Sequence, residues 1–325
     1  MPKSRGSVRN SGSIKGNVMK REFNKKDKYT IPLKKQIWNS RASYVLMLPF
    51  LLLFLIFVVI PIISSVFLSF TSFNMLQMPK FVGFDNYIRM FLEDDVFVKA
   101  LKNTLIFALL TGPLGYVMSF IVAWLINELN RGLRWFLILV MYAPTLAGNI
   151  YYIWTYIFSG DSKGLINSFL INSGIITDPI QWLTDSNYNV AVVLIVIVWM
   201  SLGSGFLAFV AGFNALDRSY FEAAAIDGVK NRFQELWYVT LPQMGPQLLF
   251  GTVMSISGAF AVGYANAAIT GFPSSNYSTH TLLLHMLDYG TIRFEMGYAS
   301  AIAVVLFAIM LLTWIIIKKA LAKFS

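Results

Sequence analysis

The stretch SYFEAAAIDGVKNRFQELWYVTLP, Ser219–Pro242, decides how this sequence folds, because it differs from the chain on either side of it. Long apolar runs flank the stretch, yet it contains five charged side chains, at Glu222, Asp227, Lys230, Arg232 and Glu235. A short polar segment between two apolar runs is therefore the first feature that the fold has to explain.

The first half of this stretch predicts a short helix. Ser219 and Glu222 have the spacing of a capping box, in which the serine side chain accepts a backbone N–H and the glutamate reaches back to the cap. Ala223–Ala225 are strong helix formers, and Gly228 suits the left-handed backbone position that ends a helix. We therefore predict a helix of about two turns over YFEAAAID.

The second half predicts another helix, capped by Asn231 and broken by Pro242 ahead of the next apolar run. An isolated helix as short as the first one is marginal in water, so Phe221, Ala225 and Ile226 need a surface to pack against. Two surfaces are equally compatible with the residues: the ends of the neighbouring apolar helices, or a groove on a soluble partner.

Composition places the whole chain in the membrane class. Of its 325 residues, 56% are hydrophobic and only 13% are charged, where a soluble domain is nearer one quarter charged. Six runs are long and apolar enough to cross a bilayer as helices. They cover about 43–70, 104–126, 135–158, 190–216, 247–269 and 296–317. The predicted fold is all-α and polytopic, with six transmembrane helices.

Charge predicts the orientation of these spans. Residues 1–42 form a basic tail that holds 12 of the 26 Lys and Arg residues, without the early apolar core of a secretory signal. Since positive loops remain on the cytoplasmic side, both termini and the loop at 217–246 are predicted to be cytoplasmic. The tail is interpreted as a disordered segment or as a contact with anionic membrane lipid, and nucleic-acid binding is not indicated.

The polar stretch resembles the EAA signature of binding-protein-dependent ABC importer permeases. That signature is Glu-Ala-Ala, three residues, Gly, and a stretch ending in Ile-x-Leu-Pro; here Val239 replaces the isoleucine and one extra residue precedes it. In the family this segment is the coupling helix, seated in a cleft of a cytoplasmic ATPase. The residues that the resemblance assigns to this contact are Phe221, Glu222, Ala223, Ala224, Ala225, Asp227, Gly228, Leu241 and Pro242.

The rest of the chain after the tail resembles the sugar-permease branch, which includes the maltose and glycerol-phosphate permeases. The runs VGFDNYIRMF and GLINSFL carry this likeness, and the C-terminal run is similar to a subgroup for oligosaccharide or polysaccharide-fragment uptake. The resemblance implies a type I (MetI-like) importer fold for residues 43–325 in a bacterial inner membrane. It also implies a heterodimer with a second homologous permease, two cytoplasmic ATPase subunits that carry the ATP and Mg, and an external sugar-binding protein.

Polar and aromatic side chains within the spans are candidates to line a sugar path, since sugars are bound by hydrogen bonds and by rings against their apolar faces. An equally ordinary role is open for each of them, because Tyr and Trp also favour membrane interfaces and Ser also bonds its own helix. The candidates are Tyr264, Asn266, Ser257, Asn149, Tyr152, Trp199 and Ser204.

Two alternatives come from other functional classes. A secondary, ion-coupled carrier often uses an acidic residue inside a span, and no Asp or Glu lies in the core of any predicted span. A polytopic membrane enzyme needs a clustered catalytic set, whereas His280, His285, Asp288 and Glu295 are spread along one predicted loop. The chain lacks the Gly-rich loop ending in Gly-Lys-Ser/Thr, so we expect it to bind no ATP itself. No carboxylate-rich or cysteine shell surrounds the two histidines, so no metal site is expected, and no other cofactor is predicted.

Overall fold

A computed structural model describes residue 38 and residues 40–147 and 150–321. The predicted tail, residues 1–42, lies almost entirely outside the described residues. By backbone contacts the chain divides into two units, residues 1–63 and residues 64–325. The functional features considered below all lie in the second unit.

Helices form nearly all of the regular structure in the described residues. In chain order the α-helices are Arg41–Phe54, Ile60–Leu68, Asp85–Leu92, Asp95–Asn127, Arg131–Leu146, Tyr151–Ile157, Leu165–Asn172, Asn189–Met200, Ser204–Ala215, Arg218–Ile226, Arg232–Glu235, Leu241–Gln243, Gly245–Phe260, Gly263–Thr270, Leu282–Leu287 and Met296–Leu321. Wider π turns cover Leu55–Val59, Leu236–Thr240 and Asp288–Ile292, and a 3₁₀ turn covers Ser275–Tyr277. Thr71–Ser72 and Lys80–Phe81 pair as two short antiparallel strands.

The prediction of an all-helical, six-span membrane protein is confirmed. In the described part of the chain, four helical runs are long and apolar enough to cross a bilayer, and two bent pairs of helices bring the number to six if each pair counts as one span. We number these spans one to six along the chain. They are Arg41–Leu68, Asp95–Asn127, Arg131–Leu146 with Tyr151–Ile157, Asn189–Ala215, Gly245–Phe260 with Gly263–Thr270, and Met296–Lys319.

Span two is longer than its apolar run indicates. Its helix has 33 residues and begins at Asp95, about nine residues before the predicted start. The Asp94 side chain caps it by accepting the Phe97 N–H at 2.9 Å, so the polar first turns remain helical. A bilayer needs about 20 apolar residues, so the first turns of this helix extend beyond the hydrocarbon.

Span five is bent, where the sequence predicted one continuous run. Its two helices, Gly245–Phe260 and Gly263–Thr270, differ in direction by 45°. The second half packs closely on the segment that follows it, because a Cβ at Gly263 would lie only 2.8 Å from Thr281 Oγ1. The glycine permits that approach, and the bend brings the second half against the following segment.

The spans of the second unit pack through buried clusters, two of which involve the two ends of span two. One cluster joins the start of span two to span six through Phe97, Tyr298 and Ile302. A second joins the other end of span two to spans four and five, and includes Phe209 and Met244. Spans two and five also approach through a polar contact, in which Ser255 Oγ donates to the Gly112 carbonyl at 2.6 Å. Close packing of this kind is typical of helices in lipid.

Candidate functional site

Residues 217–243, which we call the EAA segment, begin with a well-capped helix, Arg218–Ile226. The predicted capping box is wrong, because the cap is Asp217, whose Oδ1 accepts the Ser219 N–H at 3.0 Å. With the cap at Asp217, Glu222 lies five positions into the helix, whereas a capping box needs the glutamate at the third position. Its carboxylate is therefore free to face the surroundings of the segment.

The end of this helix is the one that the sequence predicts. Gly228 has a φ of +94°, in the left-handed region. The Val229 N–H donates to the Ala224 carbonyl at 3.0 Å and the Gly228 N–H donates to the Ala225 carbonyl at 3.3 Å. These two bonds form a Schellman motif, which stops the helix at a fixed residue.

The helix packs on its own bundle through one edge only. Phe221 and Ala224 are half-buried, whereas Ala225 is exposed and Ile226 keeps 88% of its surface in contact with solvent. Phe221 and Glu222 border a polar cavity of about 580 Å³ that also reaches Trp124 and Arg134. The sequence was compatible with packing on the neighbouring spans or on a soluble partner. In the described chain, one edge of the helix packs on the spans and the other edge is uncovered.

The second half of the EAA segment is tied to the end of span two. Asn231 caps its helix as predicted, accepting the Gln234 N–H at 2.9 Å. Arg232 bridges Glu128, next to span two, at 3.1 Å and Glu235 at 2.7 Å. The Phe233 ring meets the Trp124 ring edge-on at a centroid distance of 5.4 Å.

Pro242 does not break this region, contrary to the prediction. The chain remains helical from Arg232 through the π turn Leu236–Thr240 to Gln243, and the interruption comes at Met244. Pro242 comes just after the π turn, in which the Leu241 N–H donates to the Leu236 carbonyl, one residue further back than in an α-helix. Leu241 is half-buried and Pro242 is exposed.

A cavity of about 380 Å³ lies between spans two, four and five, and Tyr151 of span three also lines it. Its lining side chains in the described chain are all uncharged, and many are glycine, alanine or hydroxyl-bearing residues. The hydroxyl groups come from Thr111, Tyr116, Ser119, Tyr151, Ser201, Ser204, Ser255 and Tyr264.

The structure brings only part of the predicted sugar-path set to this cavity. Tyr264 and Ser204 line it and are exposed. Asn266 is buried and donates instead to the Thr279 carbonyl at 2.8 Å. Trp199 packs edge-on against Trp154 at 5.1 Å, away from the lining. Tyr152 and Ser257 are exposed outside the lining, and Asn149 lies outside the described residues.

Sequence reasoning missed the contribution of span two. Thr111, Gly115 and Ser119 line the cavity and recur every four residues, which places them on one helix face. This spacing of small and hydroxyl residues was a readable signal. Ser119 Oγ donates to the Ser201 carbonyl at 3.0 Å, so the same face also holds span four.

The segment 271–295, which we call the histidine segment, is helical over Leu282–Leu287 and continues in the π turn Asp288–Ile292, where the sequence predicted a loop. Its two histidines are buried and connected. His280 Nε2 lies 3.2 Å from His285 Nδ1, and His285 Nε2 lies 3.0 Å from Asp94 Oδ2. The same Asp94 oxygen accepts the hydroxyls of Tyr298 at 2.8 Å and Tyr289 at 3.3 Å.

Burial and hydrogen bonding set the charges of this chain of groups. Burial raises the pKa of the Asp94 carboxyl, but hydrogen bonds from His285, the Phe97 N–H and Tyr298 outweigh it and hold that pKa below its ordinary value. Burial and then the neighbouring His285 lower the pKa of His280 to about 4. Both rings expose at most 2% of their surface, so the geometry does not offer them to a substrate. Among the described residues, no three His, Cys, Asp or Glu side chains are grouped to hold a metal ion.

Comparison with known proteins gives consistent relatives. Residues 111–323 match the family model described as "Binding-protein-dependent transport system inner membrane component". The probable ABC transporter permease protein YesP of Bacillus subtilis (strain 168) is 34% identical over 286 residues, covering 86% of this chain and 90% of the relative. The lactose transport system permease protein LacF of Rhizobium radiobacter is 32% identical over 236 residues, covering 70% and 77%.

The fold is likewise similar to that of a solved transporter. A chain of a bacterial ABC transporter involved in the import of the acidic polysaccharide alginate matches with a TM-score of 0.74 at 22% sequence identity, covering 91% of this chain and 100% of that one. A second structure of the bacterial alginate ABC transporter, in complex with alginate pentasaccharide-bound periplasmic protein, matches with a TM-score of 0.72.

Proposed function

The chain belongs to the binding-protein-dependent transport system inner membrane components, and from that premise we propose that it is one permease subunit of an ATP-driven importer for a carbohydrate, most simply an oligosaccharide. Its partners are a second homologous permease, two cytoplasmic ATPase subunits and an external sugar-binding protein. Relatives named for lactose and diacetylchitobiose support the carbohydrate class.

The uncovered edge of the Arg218–Ile226 helix is the observation that carries this proposal. Ile226 is 88% exposed at the end of this capped helix, and Phe233 and Trp237 of the same segment are 72% and 68% exposed. Several large apolar side chains left in solvent on one segment support a binding surface there. ATP-driven closure of the ATPase subunits moves this helix. Arg232 and the Phe233–Trp124 contact then pass the motion to span two.

The cavity supports a neutral or weakly polar stretch of sugar path. Tyr264 offers a ring for the apolar face of a pyranose, and Ser204 and Ser255 offer hydroxyls. Spans two, four and five surround the cavity, so a change in their packing exposes it to one side of the membrane and then to the other. The bend in span five provides a place for that change.

An ion-coupled carrier is the main alternative to an ATP-driven importer. The energy source for uptake distinguishes these two functions. We would co-express the chain with its permease and ATPase partners, reconstitute the assembly in proteoliposomes with the sugar-binding protein, and measure oligosaccharide uptake. Uptake should require ATP on the ATPase side and should persist after sodium and proton gradients are collapsed. Uptake that follows an ion gradient without ATP, or purification of the chain without any ATPase, would refute the proposal.

The Gly228→Trp variant provides the matched test of the coupling surface within the same assay. A Cβ at Gly228 would meet nothing within 4 Å, but because φ is +94° any side chain there strains the helix end, and a bulky one obstructs its exposed edge. Coupled ATP hydrolysis should fall while the assembly's membrane helices remain folded. Gly132, which also has open space, supplies the control substitution.

A further inference from the structure

The chain Asp94–His285–His280 joins three elements that are far apart in sequence. Asp94 caps span two, the histidines belong to the segment after span five, and Tyr298, which also donates to Asp94, lies at the start of span six. Thr104 Oγ1 of span two accepts the Leu282 N–H at 2.8 Å in the same place. The cluster therefore fixes one end of three spans relative to one another.

The contact between the two histidines requires one proton between their facing nitrogens. His280 Nε2 and His285 Nδ1 are 3.2 Å apart, so one of them donates and the other must keep its lone pair. His285 Nε2 faces the Asp94 carboxylate, which favours a hydrogen on that nitrogen. With that hydrogen in place, His285 Nδ1 accepts from His280 Nε2, and the nitrogen left to take a further proton is His280 Nδ1. A proton there makes a cation in a buried site.

His280 is the ring that receives such an additional proton. Its Nδ1 is buried and has no hydrogen-bond partner among the described residues. Phe272 stacks on the ring at 5.6 Å and Tyr277 meets it edge-on at 5.3 Å, so its surroundings do not stabilise a cation by a carboxylate contact. The charged and titratable groups that face the cluster from the packed elements are Arg89, Asp94, Asp288, Tyr289, Arg293, Glu295 and Tyr298.

The histidine segment also supports the wall of the cavity. Asn266, on the second helix of span five, donates to the Thr279 carbonyl at 2.8 Å, one residue before His280. Asn103 of span two donates to the Tyr277 and His280 carbonyls at 2.8 and 2.9 Å. Tyr264 stands on the same short helix as Asn266 and lines the cavity. Displacement of the segment would therefore shift that helix and its tyrosine.

We propose that Asp94, His285 and His280 are positioning residues that hold the outer end of the cavity wall in place, and that a further proton on the histidine pair releases it. The cluster acts on the path through the Asn266–Thr279 contact and touches no substrate. An effect of this cluster on sugar uptake rests on the proposed function. The release of the histidine segment by protons does not depend on it.

The pH range follows from the direction of the His280 shift. Its pKa falls from an ordinary 6.5 to about 4 when the segment is closed, so the open form binds the extra proton more tightly. The closed form is therefore fully favoured when the pH is above the ordinary histidine pKa of 6.5. Its population falls as the pH is lowered toward the His280 pKa of about 4. A shift of this size corresponds to a change on the order of 100-fold in the opening equilibrium between pH 7 and pH 4.

Hydrogen–deuterium exchange of the assembled transporter in lipid nanodiscs tests this directly. Opening of the peptide 277–293 would be measured from pH 7 to pH 4, corrected for the intrinsic pH dependence of amide exchange. It should increase on the order of 100-fold in the wild type and only a few-fold in His280→Gln, because an amide does not ionise. The helix Leu165–Asn172 has no titratable side chain and serves as the internal control.

Equal pH responses in the wild type and in His280→Gln, or no response in either, would overturn the proposal. If His280→Gln does not assemble, NMR of the wild type labelled at histidine decides, because the chain has only two histidines. One ring should titrate near pH 4, together with the opening, and two rings titrating near their ordinary value would overturn the inference. If peptide 277–293 opens at low pH but the assembly takes up no sugar, the proposed function is refuted and the positioning role of the cluster stands.

Discussion

The EAA segment and the histidine segment lie near opposite ends of span two, and they differ in which of their side chains are buried. In the EAA segment three large apolar side chains remain in solvent, with Ile226 88%, Phe233 72% and Trp237 68% exposed. In the histidine segment polar side chains are buried, with His280 and His285 at 2% and 1%. Both segments connect spans, and both contain several charged residues.

The difference shows which segment is complete within this chain. The buried groups of the histidine segment find acceptors on spans two and six, so that region is satisfied by its own polypeptide. The EAA segment satisfies its backbone with caps at both ends but leaves its apolar surface uncovered. Substitutions in the histidine segment should therefore damage folding, and substitutions in the EAA segment should damage assembly.

The largest effect on stability is expected for Asp94→Ala. This change removes the acceptor of His285, Tyr289 and Tyr298 and the cap of span two, leaving buried polar groups without partners. Each buried hydrogen-bonding group left without a partner costs about 1–3 kcal/mol. We expect a thermal unfolding midpoint several degrees lower in detergent.

Asp95→Ala is the matched control for that measurement, because Asp95 is an exposed neighbour at the start of the same helix. Its midpoint should remain within about a degree of the wild type, since surface substitutions cost at most ~0.5 kcal/mol. Equal losses for the two variants would mean that negative charge at the start of this helix, and not the buried network, stabilises this end of the molecule.

A smaller but selective effect is expected for Ile226→Asp in the EAA segment. The side chain makes little contact within the chain, so the thermal midpoint should not change, whereas affinity for the ATPase subunit should fall at least tenfold. Ile175→Asp is the control, because Ile175 is also exposed, at 64%, and lies in another connection. A loss of affinity shared by both variants would argue against a docking role for Ile226.

The sequence predicted the architecture better than it predicted the details of either segment. Apolar length alone located the six spans, and Gly228 and Asn231 were read correctly because a helix end depends on local chemistry. The Asp94–His285 contact joins residues 191 positions apart, so local patterns do not contain it. The buried contact of Asn266 with Thr279 was not predicted for the same reason, since Thr279 lies in a segment whose fold depends on distant spans.

The third prediction concerns the helix end in the EAA segment. Gly228→Ala places a Cβ on a residue with a φ of +94°, which costs about 1–2 kcal/mol although the surrounding space is open. Exchange of the Arg218–Ile226 amides should accelerate roughly 5- to 30-fold. Gly245→Ala also enters open space, but without a positive φ, and should leave those amides unchanged. Acceleration in both variants would point to lost glycine flexibility in general.

The smallest effect separates the cap seen in the structure from the one that the sequence predicted. Asp217→Ala removes the oxygen that accepts the Ser219 N–H and should cost the helix about 1 kcal/mol, or roughly fivefold faster exchange of its first amides. Ser219→Ala should have almost no effect, because Ser219 is a donor through its backbone in this arrangement. If the two variants exchange their roles, the capping box exists after all, and Glu222 turns inward to the helix start. Its carboxylate would then be withdrawn from the surface beside Ile226, and the contrast between a self-satisfied segment and an uncovered one would be weaker.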